Sequence, residues 1–106
     1  MSADDFNARY KKGDVLLIGP YYVLFAGLEP GLLRSYYNAI TYYALLDRYD
    51  CISAHPRPVR GIGYIEEYGD TEVKLLPNKK KRYIYERIAK AGYKWDSKNN
   101  CLTAII

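Results

Sequence analysis

The chain has 106 residues, 49% hydrophobic and 26% charged, with a net charge of +4 and a pI near 9.0. This length makes one domain, residues 1–106, around one modest core, and the composition excludes collagen-like and disordered chains. Met1–Asp5 is polar and acidic with no signal-peptide core, and no apolar run approaches the ~20 residues of a membrane span, so a cytoplasmic protein without a membrane partner is expected.

Met1–Lys12 reads as a weakly structured N-terminal segment with a helical turn at Asp5–Tyr10. Gly13-Asp14 is a turn and Val15–Ile18 a continuous apolar strand. Gly19-Pro20 then turns the chain into Tyr21–Ala26, which predicts a first hairpin. Gly27–Gly31, GLEPG, reads as a second breaker. Leu32–Tyr49 can be read two ways. As a helix, Leu33, Tyr36, Tyr37, Ile40, Tyr43 and Ala44 share a face, and no Gly or Pro interrupts the run. As a strand, Tyr36, Asn38, Ile40 and Tyr42 alternate with Tyr37, Ala39, Thr41 and Tyr43, and the Tyr, Ile and Thr content suits a pleated surface. One long or bent strand is the expectation.

Asp50–Ser53 is a candidate short strand. His55-Pro56-Arg57-Pro58 is stiff and extended, because each proline restricts the residue before it. Gly61–Tyr68 and Thr71–Leu76 read as strands joined by a hairpin turn at Gly69-Asp70. The clearest signals come next. Asn78 is a good N-cap, Ile84, Ile88 and Ala91 recur at helical spacing, and Gly92 is the expected left-handed residue after the helix, with Tyr93 folding back onto Ile88. Tyr93–Trp95, the Asp96–Asn100 turn and Cys101–Ile106 then form a strand, a tight turn and a return strand, with Tyr93–Trp95 in the sheet that the helix covers.

A helix ending in KAGYKWD, then polar residues and a short strand, resembles the C-terminus of small uncharacterised proteins of phages and mobile elements of gut bacteria. The opening KKGDVLL before a hairpin is similar to the start of those proteins. The resemblance covers roughly the last third of the chain and a few N-terminal residues, and Leu32–Arg60 departs from it. It implies a small curled sheet with one helix and a viral or mobile-element origin, hence a host-cell cytoplasm, and it carries over no functional residue. The expected fold class is α+β: a small curled antiparallel sheet or SH3-like partial barrel, with one α-helix from the C-terminal half packed on it.

Charge and tyrosine set the functional expectations. Residues 1–73 carry 7 basic and 10 acidic side chains, a net of −3, whereas residues 74–106 carry 9 and 2, a net of +7. The basic surplus therefore belongs to the helix and final hairpin. There are 13 Tyr against 2 Phe and 1 Trp; such a surface suits recognition, although strand propensity alone also favours Tyr.

Lys79-Lys80-Lys81-Arg82 puts cations at a helix start, against the macrodipole, where free amides and positive charge suit phosphate; a solvated basic turn is the bland reading. Arg57 and Arg60 flank Pro58 on a loop, and an arginine fork recognises phosphate; loop solubility and turn geometry are the bland reading, and the favoured one. Tyr36, Tyr37, Tyr42 and Tyr43 can stack on bases beside such cations, line a dimer interface, or pack in the core. The candidate ligand site is therefore Tyr36, Tyr37, Tyr42, Tyr43, Arg57, Arg60, Lys79, Lys81 and Arg82. No catalytic residue, metal ligand or cofactor is assigned. Cys51 and His55 supply only two groups for zinc and lack a third to orient a nucleophile; Glu66-Glu67 and Asp47/Asp50 read as solvated carboxylates. Cys51 and Cys101, with no CxxC spacing, are expected to be reduced, buried thiols.

These features point to a non-enzymatic, phage-type binding protein that captures an anionic nucleotide-like ligand, in the sharpest version a host defence signal, and acts as a homo-oligomer. The alternatives are an inhibitor that binds a host defence protein or nucleic-acid enzyme, and a nucleic-acid-binding accessory protein.

Overall fold

The computed structural model describes residues 3–30, 38–64, 73–75 and 78–105. Its elements are α1 (Ala3–Arg9), β1 (Val15–Ile18), β2 (Tyr21–Pro30), β3 (Asn38–Leu46), β4 (Ile52–Tyr64), β5 (Val73–Leu75), α2 (Asn78–Lys90), β6 (Tyr93–Asp96) and β7 (Cys101–Ala104). Five strands form one antiparallel sheet in the order β4-β3-β2-β1-β5, and β6 pairs with β7 in a second sheet. The fold is α+β, a bulged antiparallel sheet that does not close into a barrel.

Alternation along the central strands, reset at the register shifts between Phe25 and Gly27 and between Tyr42 and Ala44, gives the sheet two apolar faces. Val15, Leu24, Ala26, Tyr43, Ala44 and Leu46 point to one face, where Ile84 and Ile88 of α2 and Leu102 of β7 cover them. Leu16, Ile18, Val23, Phe25, Leu28 and Ile40 point to the other, where Phe6 of α1 is buried among them. Phe6 meets Tyr10 and Phe25 ring to ring, at centroid distances of 4.8 and 5.5 Å. Asn7 adds two hydrogen bonds to Leu28: its side-chain amide donates to the carbonyl at 3.1 Å and its oxygen accepts from the amide at 2.9 Å. The N-terminal segment is thus docked by its helix.

The β1–β2 hairpin follows the expected pattern. Ile18 pairs with Tyr21, leaving Gly19-Pro20 as a two-residue loop, and Gly19 takes the positive φ of 57° that mirror-image turns require. The helix also ends as expected, with Gly92 at φ 94° and Tyr93 packed against the cluster that contains Ile88.

Four expectations are corrected. GLEPG does not break the strand: β2 continues through Gly27, whose φ of 132° fits a register shift opposite β3, and the buried Thr41 hydroxyl donates to the Gly27 carbonyl at 2.6 Å. Asp50–Ser53 and HPRP are not separate pieces, since β4 starts at Ile52, takes in Ser53 and continues for 13 residues through HPRP, while Asp50 and Cys51 stay in the connection before it. Its ladder to β3 skips from Ala54 to Val59, so Pro56 and Pro58, which have no N–H to donate, sit where pairing is interrupted. β5 pairs with β1, which puts it on the opposite edge of the sheet from β4, while the expected turn at Gly69-Asp70 lies outside the described residues. Finally, Tyr93–Asp96 belongs to the small second sheet rather than to the sheet under the helix.

Of the ambiguous stretch, residues 38–46 form a strand; its first part, with Tyr36 and Tyr37, lies outside the described residues. Cys51 and Cys101 are free thiols as expected, but Cys51 is exposed and Cys101 only half-buried. The Tyr85 hydroxyl on α2 donates to the Gly13 carbonyl at 2.7 Å. Burial, with Asp14 nearby, pushes its pKa up to about 12.

Candidate functional site

A groove lies where the β1–β2 turn, the β3–β4 connection and the start of α2 converge. It has a volume of about 810 Å³ and is lined by Leu17, Pro20, Tyr22, Leu46, Asp47, Arg48, Asp50, Lys79, Lys80, Tyr83 and Ile84. Ligand pockets typically hold ~300–1,000 Å³.

Local rules build each wall. The tight Gly19-Pro20 loop brings Pro20 and Tyr22 to the rim. On the second wall, Asp47 organises the β3–β4 connection: one carboxylate oxygen accepts from the amides of Tyr49 at 2.8 Å and Cys51 at 3.0 Å. The Asp47 amide donates to the Cys51 carbonyl at 3.0 Å, closing the turn, and Asp50 takes a left-handed φ of 64°. That geometry presents Arg48, whose guanidinium lies 4.9 Å from the centre of the exposed Tyr49 ring. The third wall is the first turns of α2, where Lys79 and Lys80 are exposed, the first turn itself carries no acidic residue, and backbone amides lack intrahelical acceptors.

A polar bridge ties the second wall to the third. Arg87 donates from one guanidinium nitrogen to the Asp50 carboxylate and from the other to the Asp50 carbonyl at 2.7 Å. The Tyr83 hydroxyl donates to the same carboxylate at 3.1 Å and accepts from Arg87 at 3.3 Å. The Arg87 hydrogen bond, seconded by Tyr83, holds the Asp50 carboxyl below its ordinary range. A lowered carboxylate pKa stabilises the fold above the unfolded value of ~3.9 and loses that effect as pH falls through the folded value. Asp50→Asn should therefore lower the thermal midpoint at neutral pH, and the gap to the parent should close in acid below about pH 4. A constant gap across a pH series of melting curves would mean that the Asp50 charge does not contribute.

The residues expected from sequence are dispersed. Lys79 lines the groove, with its neighbour Lys80. Lys81 instead leans toward Tyr85, its ammonium 6.0 Å from the ring centre. Arg82 is exposed on α2 outside the groove. Tyr43 is buried on the helix-covered face, meets Trp95 edge to face at 5.4 Å, and donates to the Asn100 carbonyl at 3.3 Å. Tyr42, its neighbour on β3, packs on the opposite face, and burial raises both pKa values. Arg57 is exposed where β4 leaves its ladder, and Arg60 pairs with Glu29 at 3.3 Å; neither lines this groove. Tyr22, Tyr83, Arg48 and the Asp50–Arg87 pair were not singled out from sequence. Tyr83 and Arg87 do stand at the i, i+4 spacing of helix neighbours, but Asp50 is 33 residues from Tyr83.

Among the described residues, no three His, Cys, Asp or Glu side chains gather as a metal site would require, and no helix is long and apolar enough to cross a membrane. Compared with known protein families, curated proteins and solved structures, the chain matches none.

Proposed function

We propose that this chain is a non-enzymatic binding protein that captures an anionic nucleotide-like ligand in the groove at the start of α2. One observation carries the reading: Lys79 and Lys80 share an 810 Å³ groove with Arg48 and with the rings of Tyr22 and Tyr83. Cations neutralise phosphate, a tyrosine face holds a base by stacking, and the free amides of the helix start favour the same anion. The groove's two carboxylates are both engaged, Asp47 by backbone amides and Asp50 by Arg87 and Tyr83. Sequestration of a host signalling nucleotide is the use that fits a phage origin, since capture needs rings and cations but no reacting group.

The test is to incubate the protein with a panel of linear and cyclic nucleotides, denature it by heat and assay what is released. Intact ligand should be recovered, with altered ligand indicating an enzyme instead. Lys80→Ala should weaken binding about tenfold or more, the ~1.5–3 kcal/mol of a hydrogen bond to a charged group, and Tyr83→Ala should remove a further ~1–3 kcal/mol of stacking. If the whole panel stays free at low and at physiological salt, the reading fails and inhibition of a host protein takes first place.

A further inference from the structure

Two grooves meet at Tyr83. Beyond the one already described lies a second, of about 530 Å³, lined by Ile52, Tyr83, Arg87, Lys90 and Ala91. Both follow one seam, with the chain from Asp47 to Ile52 on one side and successive turns of α2 on the other. Positions 83, 87 and 90 form the i, i+4, i+7 stripe of a single helix face. Cations therefore stand at both ends of the seam, Lys79 and Lys80 at one and Lys90 at the other, with Arg87 paired to Asp50 between them. At 1.5 Å per residue, Lys80 and Lys90 stand ~15 Å apart along the helix axis, too far for the phosphate of one mononucleotide to meet both.

We infer that the seam takes a ligand of two nucleotide units joined through phosphate, with one unit in each groove. The inference rests on the nucleotide reading of the first groove and narrows it to a ligand class. The link between the units crosses the Asp50–Tyr83–Arg87 bridge. There the Asp50 charge is countered by Arg87, so the crossing does not repel a phosphate. Tyr83 is 41% exposed and held by its hydroxyl from both sides, which leaves a fixed ring at the junction for a base to stack on. A mononucleotide in the first groove would leave Lys90 and the second groove without a role.

Titration calorimetry with ribonucleoside monophosphates, the corresponding 5′-phosphorylated dinucleotides and longer homopolymers tests this. A dinucleotide should bind at least tenfold more tightly than its monophosphate. Lys90 is exposed and does not line the first groove, so Lys90→Ala should remove most of that gain while monophosphate affinity stays as it was. Lys80→Ala should weaken both ligands. Equal affinities, or a gain that survives Lys90→Ala, would overturn the two-unit ligand and leave the nucleotide reading standing. Binding of neither class would overturn both. Affinity that keeps rising with homopolymer length and falls steeply with salt would give the seam to a nucleic-acid strand and overturn the two-unit limit.

Discussion

Replacing Ile88 by alanine should lower the free energy of unfolding by ~2–5 kcal/mol, the range for truncating a buried aliphatic side chain. Ile88 has no exposed surface and lies in the cluster that joins α2 to Leu24, Ala44 and Leu46 of the sheet and to Leu102 of β7. The upper part of the range is expected because these neighbours come from different elements, and a sheet strand cannot move in to fill the space without breaking its ladder. Glu86, two residues earlier, is exposed, so Glu86→Ala should stay within ~0.5 kcal/mol. Urea midpoints of the two variants decide the matter. Equal midpoints would mean that α2 contributes no core.

The parts of this fold that could be read in advance are those whose cause is local. Gly19-Pro20 specifies a two-residue turn whatever surrounds it, and Ile84, Ile88 and Gly92 specify a helix and its stop. The strand reading of residues 38–46 rested on Tyr, Ile and Thr content, which reflects how such side chains fit a pleated surface. Errors arose where tertiary pairing overrides a local signal. Gly27 looks like a breaker, yet its positive φ shapes an irregular step within β2. HPRP reads as a stiff extended piece of its own, yet it is part of β4, and its prolines fall in the gap of the β4 ladder. The partner of β5 was unreadable, because pairing with β1 is decided by what the rest of the sheet leaves open.

The site divides in the same way. A run of four cations at a helix start is visible as charge, so Lys79 was found. Which rings stand beside it depends on how β2 and α2 meet, so Tyr22 and Tyr83 were not. Adjacent tyrosines on a strand point to opposite faces, which is why Tyr42 and Tyr43 pack in different clusters. The turn that presents Arg48 did leave a trace, since Asp47 is well suited to accept from amides two and four residues on, but an Asp in a loop has many other uses.

Substituting Gly13 by alanine should be among the most damaging single-methyl changes in the chain, at ~2–5 kcal/mol from two separate causes. Gly13 has φ 93°, where a residue with a Cβ is strained by ~1–2 kcal/mol. The added Cβ would also stand 2.6 Å from the Trp95 ring, well inside contact distance, and overpacking of this kind costs ~1–3 kcal/mol. The ring cannot easily yield, because it packs against the main cluster and meets Tyr43 edge to face. Nor can the backbone, because the Gly13 amide donates to the Phe25 carbonyl at 2.9 Å and its own carbonyl accepts from Tyr85. Gly92 separates the two causes. Its φ is 94°, but a Cβ there meets nothing within 4 Å, so Gly92→Ala should cost only the ~1–2 kcal/mol of backbone strain. Chemical denaturation of both variants, followed by fluorescence of Trp95, the single tryptophan, gives the difference directly. Gly13→Ala should unfold at clearly lower denaturant than Gly92→Ala and with an altered native emission, because the clash falls on the reporting ring. Equal losses with unchanged emission would show that Trp95 does not close over Gly13.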